Sequence, residues 1–231
     1  MRQIEEKKYF LNLMENELKY NIIRRDVKNV RLRVSEDGTV DIYAPKHFSD
    51  SDINSIIEKK SRWIDSKYDY FKKKKTILLN RNEILLFGNR YTYYYSTRYE
   101  NKVEINNESK IIQAKRDLLD IDIQEKWLKS FAKRYITERV ETLSESLLLP
   151  FNKLYIRSQK KKWGNCSKEK NISINWRIIK APYFVIDYII THELCHTVIM
   201  NHTAKFKTFL RSHSPNCDQA QDWLDKYGNS L

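Results

Sequence analysis

The feature that most restricts the fold of this chain is the segment YFVIDYIITHELCHTVIM, residues 183–200. Its apolar residues lie around most of the circumference of a helix, so the rest of the protein has to cover that helix on nearly all sides. Pro182 precedes it, a position that suits the first turn of a helix. The segment therefore predicts a buried helix at the centre of a packed domain.

Two histidines and a glutamate stand out among the side chains of this apolar helix. His192 and His196 are four residues apart and project from the same face, one turn apart. Two imidazoles in this arrangement can bind one Zn²⁺ at about 2.0–2.1 Å each. Glu193 points about 100° around the helix, which leaves it outside the ligand shell but close enough to act as a base. An unpaired buried carboxylate is costly, so a metal site explains these residues better than chance does.

A catalytic zinc ion needs a third protein ligand and one open position. His202 follows His196 by six residues, and Asn201 is predicted to end the helix in a left-handed conformation that turns the chain back towards the metal. The sequence TAKFKTFL, residues 203–210, predicts the start of another helix. Cys195 is interpreted as a small core residue rather than a ligand. We therefore expect one Zn²⁺ per chain, held by His192, His196 and His202.

Hydrophobic periodicity divides the chain into two parts. Residues 18–46 alternate apolar and polar side chains, which predicts a three-stranded β-meander with turns at 25–26 and 37–38. A helix after the Ser/Asp cluster at 49–52 and strands within 83–95 and 103–114 are expected next. No internal repeat is evident. The predicted first domain, residues 1–115, is therefore β-rich with one helix.

Helical spacing resumes in the second predicted domain, residues 116–231. It contains an amphipathic helix over 121–148, short strands near 154–157 and 171–176, and the buried helix. The loop SQKKKWGNCSKEK separates the two short strands. The segment Asn171–Trp176 is expected to offer a free edge to an extended peptide. The fold class predicted for the whole chain is α+β.

Charge is concentrated immediately before the histidines. The chain carries a formal net charge of +13, and the basic tract at 153–180 contains nine Lys or Arg residues and one acid, Glu169. Such a tract can attract nucleic acid, and Lys160, Lys161 and Lys162 are the predicted contacts. A solvated surface is the alternative reading. No apolar run is long enough to span a membrane, and three widely spaced cysteines favour a reducing compartment, so a cytoplasmic protein is expected.

Several motifs together resemble the YgjP-like family of zinc metallopeptidases. These are WGNCS (163–167), NISINWRII (171–179), HELCH (192–196), NHTAKF (201–206) and, near the N-terminus, VRLRVSEDGTVDIYAP (30–45). The sequence departs from the usual family pattern at Thr203–Ala204 and Lys207. The metzincin pattern, by contrast, is excluded, because Ile199 stands where that pattern has glycine and no methionine follows. A more distant similarity links the family to SprT/Spartan and Wss-type proteases, which cut proteins crosslinked to DNA.

The resemblance implies a zincin-like fold, the three histidine ligands, and Glu193 as general base in the hydrolysis of protein or peptide substrates. Candidate substrate-binding residues are Asn175, Trp163 and Cys166. Two alternatives remain open at this point: a nucleic-acid-binding accessory protein with a structural zinc ion, and a protease stimulated by DNA. Glu193 favours an enzyme, because a structural site needs no base.

Overall fold

A computed structural model describes residues 8–13, 16–35, 39–99, 102–159 and 161–231. It has the predicted α+β architecture with a β-rich N-terminal part. The chain divides into two compact units, one up to Lys75 and one from Thr76 onwards. This division differs from the predicted boundary at 115/116, because the strands within 83–114 share the hydrophobic core of the second unit.

The first unit contains a four-stranded sheet, β1 (Lys8–Leu13), β2 (Asn16–Arg25), β3 (Arg31–Val34) and β4 (Val40–Pro45). The strand order is β1-β2-β4-β3, with β2 and β4 parallel. The predicted meander is therefore wrong in topology, since β2 and β3 are not neighbours. The predicted turn at Asp37–Gly38 lies outside the described residues.

Helix α1 (Asp50–Lys73) confirms the helix expected after the Ser/Asp cluster. Ser49 caps it by accepting a hydrogen bond from the backbone of Asp52, whose side chain accepts one from the backbone of Ser49. Ile53, Ile57 and Ile64 recur at helical spacing and form the core of this unit with the sheet.

The second unit begins with a sheet of the same topology. Its strands are β5 (Glu83–Leu86), β6 (Asn89–Tyr95), β7 (Val103–Asn106) and β8 (Ile111–Ala114). They have the order β5-β6-β8-β7, with β6 and β8 parallel. A long helix, α2 (Ile121–Leu147), follows, as α1 follows the first sheet. The chain thus contains two ββββα arrangements of one topology, although no repeat is evident in its sequence.

A three-stranded sheet then leads to the histidine-bearing helix. Strands β9 (Leu154–Arg157), β10 (Gly164–Cys166) and β11 (Ile172–Asn175) have the order β10-β11-β9. A 3-10 helix (Trp176–Lys180) connects β11 to α3 (Tyr183–Cys195). Helices α4 (Ala204–His213) and α5 (Cys217–Tyr227) complete the unit. The expectation of a free edge at 171–176 is wrong, because β11 pairs on both sides.

The β5–β6 turn packs against the start of α3. Phe87 and Gly88 donate backbone hydrogen bonds to the carbonyls of Ile179 and Lys180, at 2.9 and 2.8 Å. Gly88 has φ +74°, and a β-carbon there would lie 2.5 Å from Cγ of Pro182. Glycine is therefore required at this turn both for its backbone conformation and for the close approach of Pro182.

Crossing a bilayer requires a long apolar helix, and none of the helices in the described part of the chain combines the necessary length and apolarity.

Candidate metal centre

Helix α3 is buried along most of its length, as the sequence predicts. Its buried residues include Glu193 and, near the C-terminal end, Leu194 and Cys195. A bidentate ion pair holds the middle of the helix against α2: Nε and Nη2 of Arg139 donate to the two carboxylate oxygens of Asp187 at 2.6 and 2.7 Å. This packing presents the last turn of α3 at a defined position beside β10.

The ring nitrogens of His192, His196 and His202 converge on one point. Their Nε2 atoms are 3.2 Å apart for His192–His196, and 3.1 Å apart for both contacts of His202. Among the described residues, these three form the cluster of potential metal ligands. Glu193 and Cys195 are not part of it.

The triangle formed by the three Nε2 atoms has the dimensions that a bound zinc ion requires. Three nitrogens that each lie 2.0–2.1 Å from a tetrahedral ion are separated by about 3.3 Å, close to the observed 3.1–3.2 Å. A cation at the centre of this triangle would be within reach of a lone pair from each of the three nitrogens. The donor set is nitrogen alone, which suits zinc and other imidazole-binding transition metals better than calcium or magnesium.

A backbone contact sets the tautomer of His196. Its Nδ1 lies 3.0 Å from the carbonyl oxygen of Ile199, which can only accept, so Nδ1 carries the proton and the lone pair of Nε2 faces the other histidines. The contact depends on a tight chain reversal, because α3 ends at Cys195 and residues 196–198 form turns. The prediction that Asn201 ends the helix in a left-handed conformation is wrong, since Asn201 has no positive φ.

Phe206 packs against all three imidazoles. Its ring stacks on His196 with centroids 4.3 Å apart and meets the rings of His192 and His202 at 5.1 and 5.0 Å. It lies on α4, whose first turn is capped by Thr203. The predicted helix after His202 is therefore confirmed, and it supplies the apolar wall behind the three ring planes.

Glu193 is next to His192 in the sequence, but its carboxylate oxygens are not part of the cluster of potential metal ligands. Only 6% of its surface is exposed. Burial raises the pKa of its carboxyl to about 8, and the positive charge of Lys162 partly opposes that rise. Its side chain lies against β10, where a β-carbon on Gly164 would be 2.5 Å from Cγ of Glu193.

Two of the three histidines, His192 and His196, are held in the neutral form that binds metals. Burial, followed by the nearby His196 and His202, lowers the pKa of His192 to about 4. Burial also lowers the pKa of His196. Both side chains are therefore uncharged near neutral pH, and a metal ion does not have to displace a proton from either of them.

Two of the predicted substrate-binding residues lie in β10 or beside it. Cys166 is buried, and desolvation followed by the charge of Glu193 raises the pKa of its thiol to about 11. Trp163 is half-buried, with its ring near Gly228.

The third predicted substrate-binding residue, Asn175, is buried, and its side chain is committed to the neighbouring backbone. Its amide nitrogen donates to the carbonyls of Gln159 and Lys162 at 2.6 and 3.1 Å, and its oxygen accepts from the backbone of Arg177. These bonds anchor the loop before β10.

The residues predicted to contact nucleic acid lie on that loop. Lys161 and Lys162 are exposed, and Lys160 lies outside the described residues. The loop runs directly into β10, so its charges stand at one end of the strand beside Glu193.

One edge of β10 is left open among the described strands. The backbone N–H of Asn175 donates to the carbonyl of Trp163, and the N–H of Ser167 donates to the carbonyl of Asn171. In an antiparallel pair, every second residue directs its backbone groups towards the partner strand. The N–H and C=O groups of Gly164 and Cys166, which lie between these positions, therefore point away from β11. Gly164 also faces Glu193. The open edge therefore runs past the carboxylate.

Sequence reasoning missed two components of the site, Gly164 and the Ile199 carbonyl. The chain has only four glycines, so each one is a signal of turn geometry or close approach, and Gly164 could have been suspected on that ground. A backbone carbonyl leaves no signature in side-chain chemistry, and its role became visible only in the folded chain.

Three converging imidazoles beside a buried glutamate match the arrangement expected of a metal-dependent hydrolase site. Residues 28–227 match the family described as YgjP-like, metallopeptidase domain, and the chain belongs to that family. Among solved structures, it is similar to the metallopeptidase zymogen of Methanocaldococcus jannaschii jannalysin, at 29% identity and a TM-score of 0.33, over 37% of this chain and 89% of that chain. No curated protein sequence matches.

Proposed function

We propose that this metallopeptidase is zinc-dependent, with His192, His196 and His202 as ligands and Glu193 as general base. The observation that supports the proposal most directly is the convergence of the three Nε2 atoms within 3.2 Å of one another, next to a buried carboxylate that is not among them. A structural zinc site usually closes its fourth position with another protein ligand, whereas this cluster has three.

The metal ion and Glu193 have distinct roles in the proposed reaction. A zinc ion held by the three histidines would lower the pKa of a bound water towards about 7 and would polarise the substrate carbonyl. Glu193 accepts a proton from the attacking water and passes it to the leaving amine. Burial raises the pKa of Glu193 in the metal-free chain, and the positive charge of a bound metal ion would lower it towards the ionised form that a base needs.

We further propose that the substrate binds as an extended peptide along the open edge of β10. The outward-facing backbone groups of Gly164 and Cys166 supply hydrogen bonds that do not depend on the peptide's sequence. A peptide in this position lies over Glu193, because Gly164 itself contacts that side chain. The proposed roles of Trp163, Cys166 and Asn175 would be to shape this strand and the loop that enters it.

Removal and return of the metal test the proposal. The purified full chain is stripped with a chelator, and cleavage of an unfolded test protein is followed as Zn²⁺ is added back. Activity should be absent without metal and should saturate at one Zn²⁺ per chain. Activity that survives complete removal of metal would contradict the proposal.

The variant Glu193→Gln separates the base from the ligands. It should bind Zn²⁺ like the unaltered protein but lose about 10²–10⁴-fold in kcat. His202→Ala, the matched ligand variant, should lose both metal and activity. If Glu193→Gln cleaves at the original rate, Glu193 is not the base.

The nucleic-acid alternatives are tested in the same assay. Exposed Lys161 and Lys162 beside β10 are the observation that favours them. Single-stranded DNA added to the reaction should accelerate cleavage if the chain is a DNA-stimulated protease, and the acceleration should fall steeply with salt. DNA binding without cleavage under any condition would favour an accessory protein with a structural zinc ion.

A further inference from the structure

Two segments that contribute to the candidate metal centre carry exposed lysines. Lys161 and Lys162 precede β10, and Lys168 and Lys170 follow it. In α4, Lys205 and Lys207 are the sequence neighbours of Phe206, the residue that packs against the three imidazoles. All six lysine side chains are exposed.

The six lysines have few acidic residues near them in the sequence. None of the six forms an ion pair within the part of the chain that the structure describes. Residues 194–217 contain no Asp or Glu, and the 153–180 tract contains only Glu169, which is hydrogen-bonded to Ser167. The tract holds nine basic residues against this single acid, so it contributes much of the chain's +13 charge.

We infer that the substrates of this site are acidic polypeptide segments, with Asp or Glu on both sides of the scissile bond. The inference rests on the proposed peptidase function and adds the class of substrate. A peptide paired with β10 rises about 3.3 Å per residue, so a segment of about six or seven residues passes both pairs of lysines. The conclusion is the same for either peptide direction, because cations stand at both ends of β10.

The position of the charges favours a peptide over a nucleic acid. Lys162 lies two residues before Gly164, the position that faces Glu193, so this charge stands next to the proposed reacting groups. An open strand edge offers main-chain hydrogen bonds to a peptide. Single-stranded nucleic acid binds in large part by stacking its bases on aromatic side chains. Strand β10 has no aromatic residue, and the neighbouring Trp163 is half-buried with its ring near Gly228.

Cleavage of a random peptide library by the zinc-loaded full chain tests the inference, with the cut sites identified by mass spectrometry. Asp and Glu should be enriched over Asn and Gln within about three residues of the cut bond. Each exposed ion pair contributes about 1.4- to 5-fold, so several together should give about a tenfold preference. The preference should shrink in 0.5 M NaCl, where the screening length falls to roughly 4 Å.

Charge-matched variants separate local from overall charge. Lys161→Gln/Lys162→Gln and Lys168→Gln/Lys170→Gln should each weaken the acidic preference on one side of the cut. Lys59→Gln/Lys60→Gln removes the same charge from exposed positions of α1 and should leave the preference intact. An equal loss in all three variants would overturn the inference.

A binding measurement makes the result independent of catalysis. Zinc-loaded Glu193→Gln is titrated with a labelled acidic peptide and its Asn/Gln counterpart, and fluorescence anisotropy should show tighter binding of the acidic peptide. Cleavage without acidic preference would overturn the substrate class but leave the peptidase standing. Absence of all cleavage, with acidic peptides still preferred in binding, would overturn the peptidase alone. Single-stranded DNA that outcompetes the acidic peptide, together with equal binding of both peptides, would assign the lysines to nucleic acid and overturn the inference.

Discussion

The side chain of Glu193 occupies the space that Gly164 leaves by having no β-carbon. An added β-carbon would lie 2.5 Å from Cγ and 2.6 Å from Cδ of Glu193, distances at which something has to move. The backbone of Gly164 has no positive φ, so the glycine is required here for space rather than for conformation. Strand β10 thereby helps to set the position of the proposed base.

Replacement of Gly164 by alanine should therefore displace the carboxylate. A shift of about 1 Å in a reacting group can reduce the rate by about 10²-fold, so we expect Gly164→Ala to lower kcat by about 10–100-fold while Zn²⁺ binding persists. The measurement is kcat together with the zinc content of the purified variant. Asn165→Ala, at the exposed neighbouring position, is the control and should change little.

A double-mutant cycle distinguishes positioning from general destabilisation. Glu193→Asp is shorter by one methylene, so the alanine at 164 should cost less in that background than in the unaltered protein. Equal losses in both backgrounds would show that Gly164→Ala acts through the fold rather than through Glu193.

The stability of the metal-free protein should depend on the charge of Glu193. Burial raises its pKa from 4.5 to about 8, so between these values the folded chain holds a proton that the unfolded chain releases. Stability contributed by this group therefore falls as pH rises from about 5 and levels off above about 8. His192, with its pKa lowered to about 4, acts in the opposite direction below about pH 6.5.

Comparison with Glu193→Gln isolates the contribution of Glu193. The free energy of unfolding of the glutamine variant, minus that of the unaltered protein, should grow by about 2–4 kcal/mol from pH 5 to pH 9. Urea unfolding of chelated protein measures it. Added Zn²⁺ should reduce the difference, because a cation stabilises the carboxylate. A difference that does not change with pH would mean that Glu193 is ionised throughout.

Long helices were predictable from the sequence because their periodicity is local. Ile53 and Ile57 indicated α1, and Trp127 and Ile136 belong to the apolar positions that indicated α2. The histidine set was also accessible, because the spacing of His192 and His196 on one helix determines which face they share.

Strand order and short strands were not predictable in this way. Strand β10 has three residues, including Gly164, within a lysine-rich loop, and this length carries no period-two signal. Strand β11 is central because β9 and β10 pair with its two edges, and no residue within Asn171–Trp176 specifies these partners. Likewise, the parallel pairing of β2 with β4 joins strands that are not consecutive in the sequence. The predicted meander was wrong because it assumed that consecutive strands pair with each other.

Phe206 should support metal binding more than its neighbour on α4 does. Its ring contacts all three imidazoles, whereas Phe209 contacts His213 with centroids 4.3 Å apart. Phe206→Leu should weaken Zn²⁺ binding by about 10-fold or more, in line with other changes that reorient metal ligands. Phe209→Leu should leave the zinc affinity unchanged. Competition with a chromophoric chelator measures both affinities, and equal affinities in the two variants would contradict a role for Phe206 in orienting the ligands.

Asn175 offers a test that separates a loop anchor from a substrate contact. Its side chain donates to the carbonyls of Gln159 and Lys162 and accepts from the backbone of Arg177, so Asn175→Ala removes three part-buried hydrogen bonds. We expect the free energy of unfolding to fall by about 1–3 kcal/mol. Backbone amide hydrogens should also exchange faster in the end of the 158–163 loop that adjoins β10. Asn165→Ala should cost about 0.5 kcal/mol or less, as an exposed substitution does. A raised KM with unchanged stability and exchange would instead assign Asn175 to substrate binding. A loop anchor therefore predicts changes in stability and amide exchange, whereas a substrate contact predicts none. Both quantities are measured on the free protein, so the test needs no knowledge of the natural substrate.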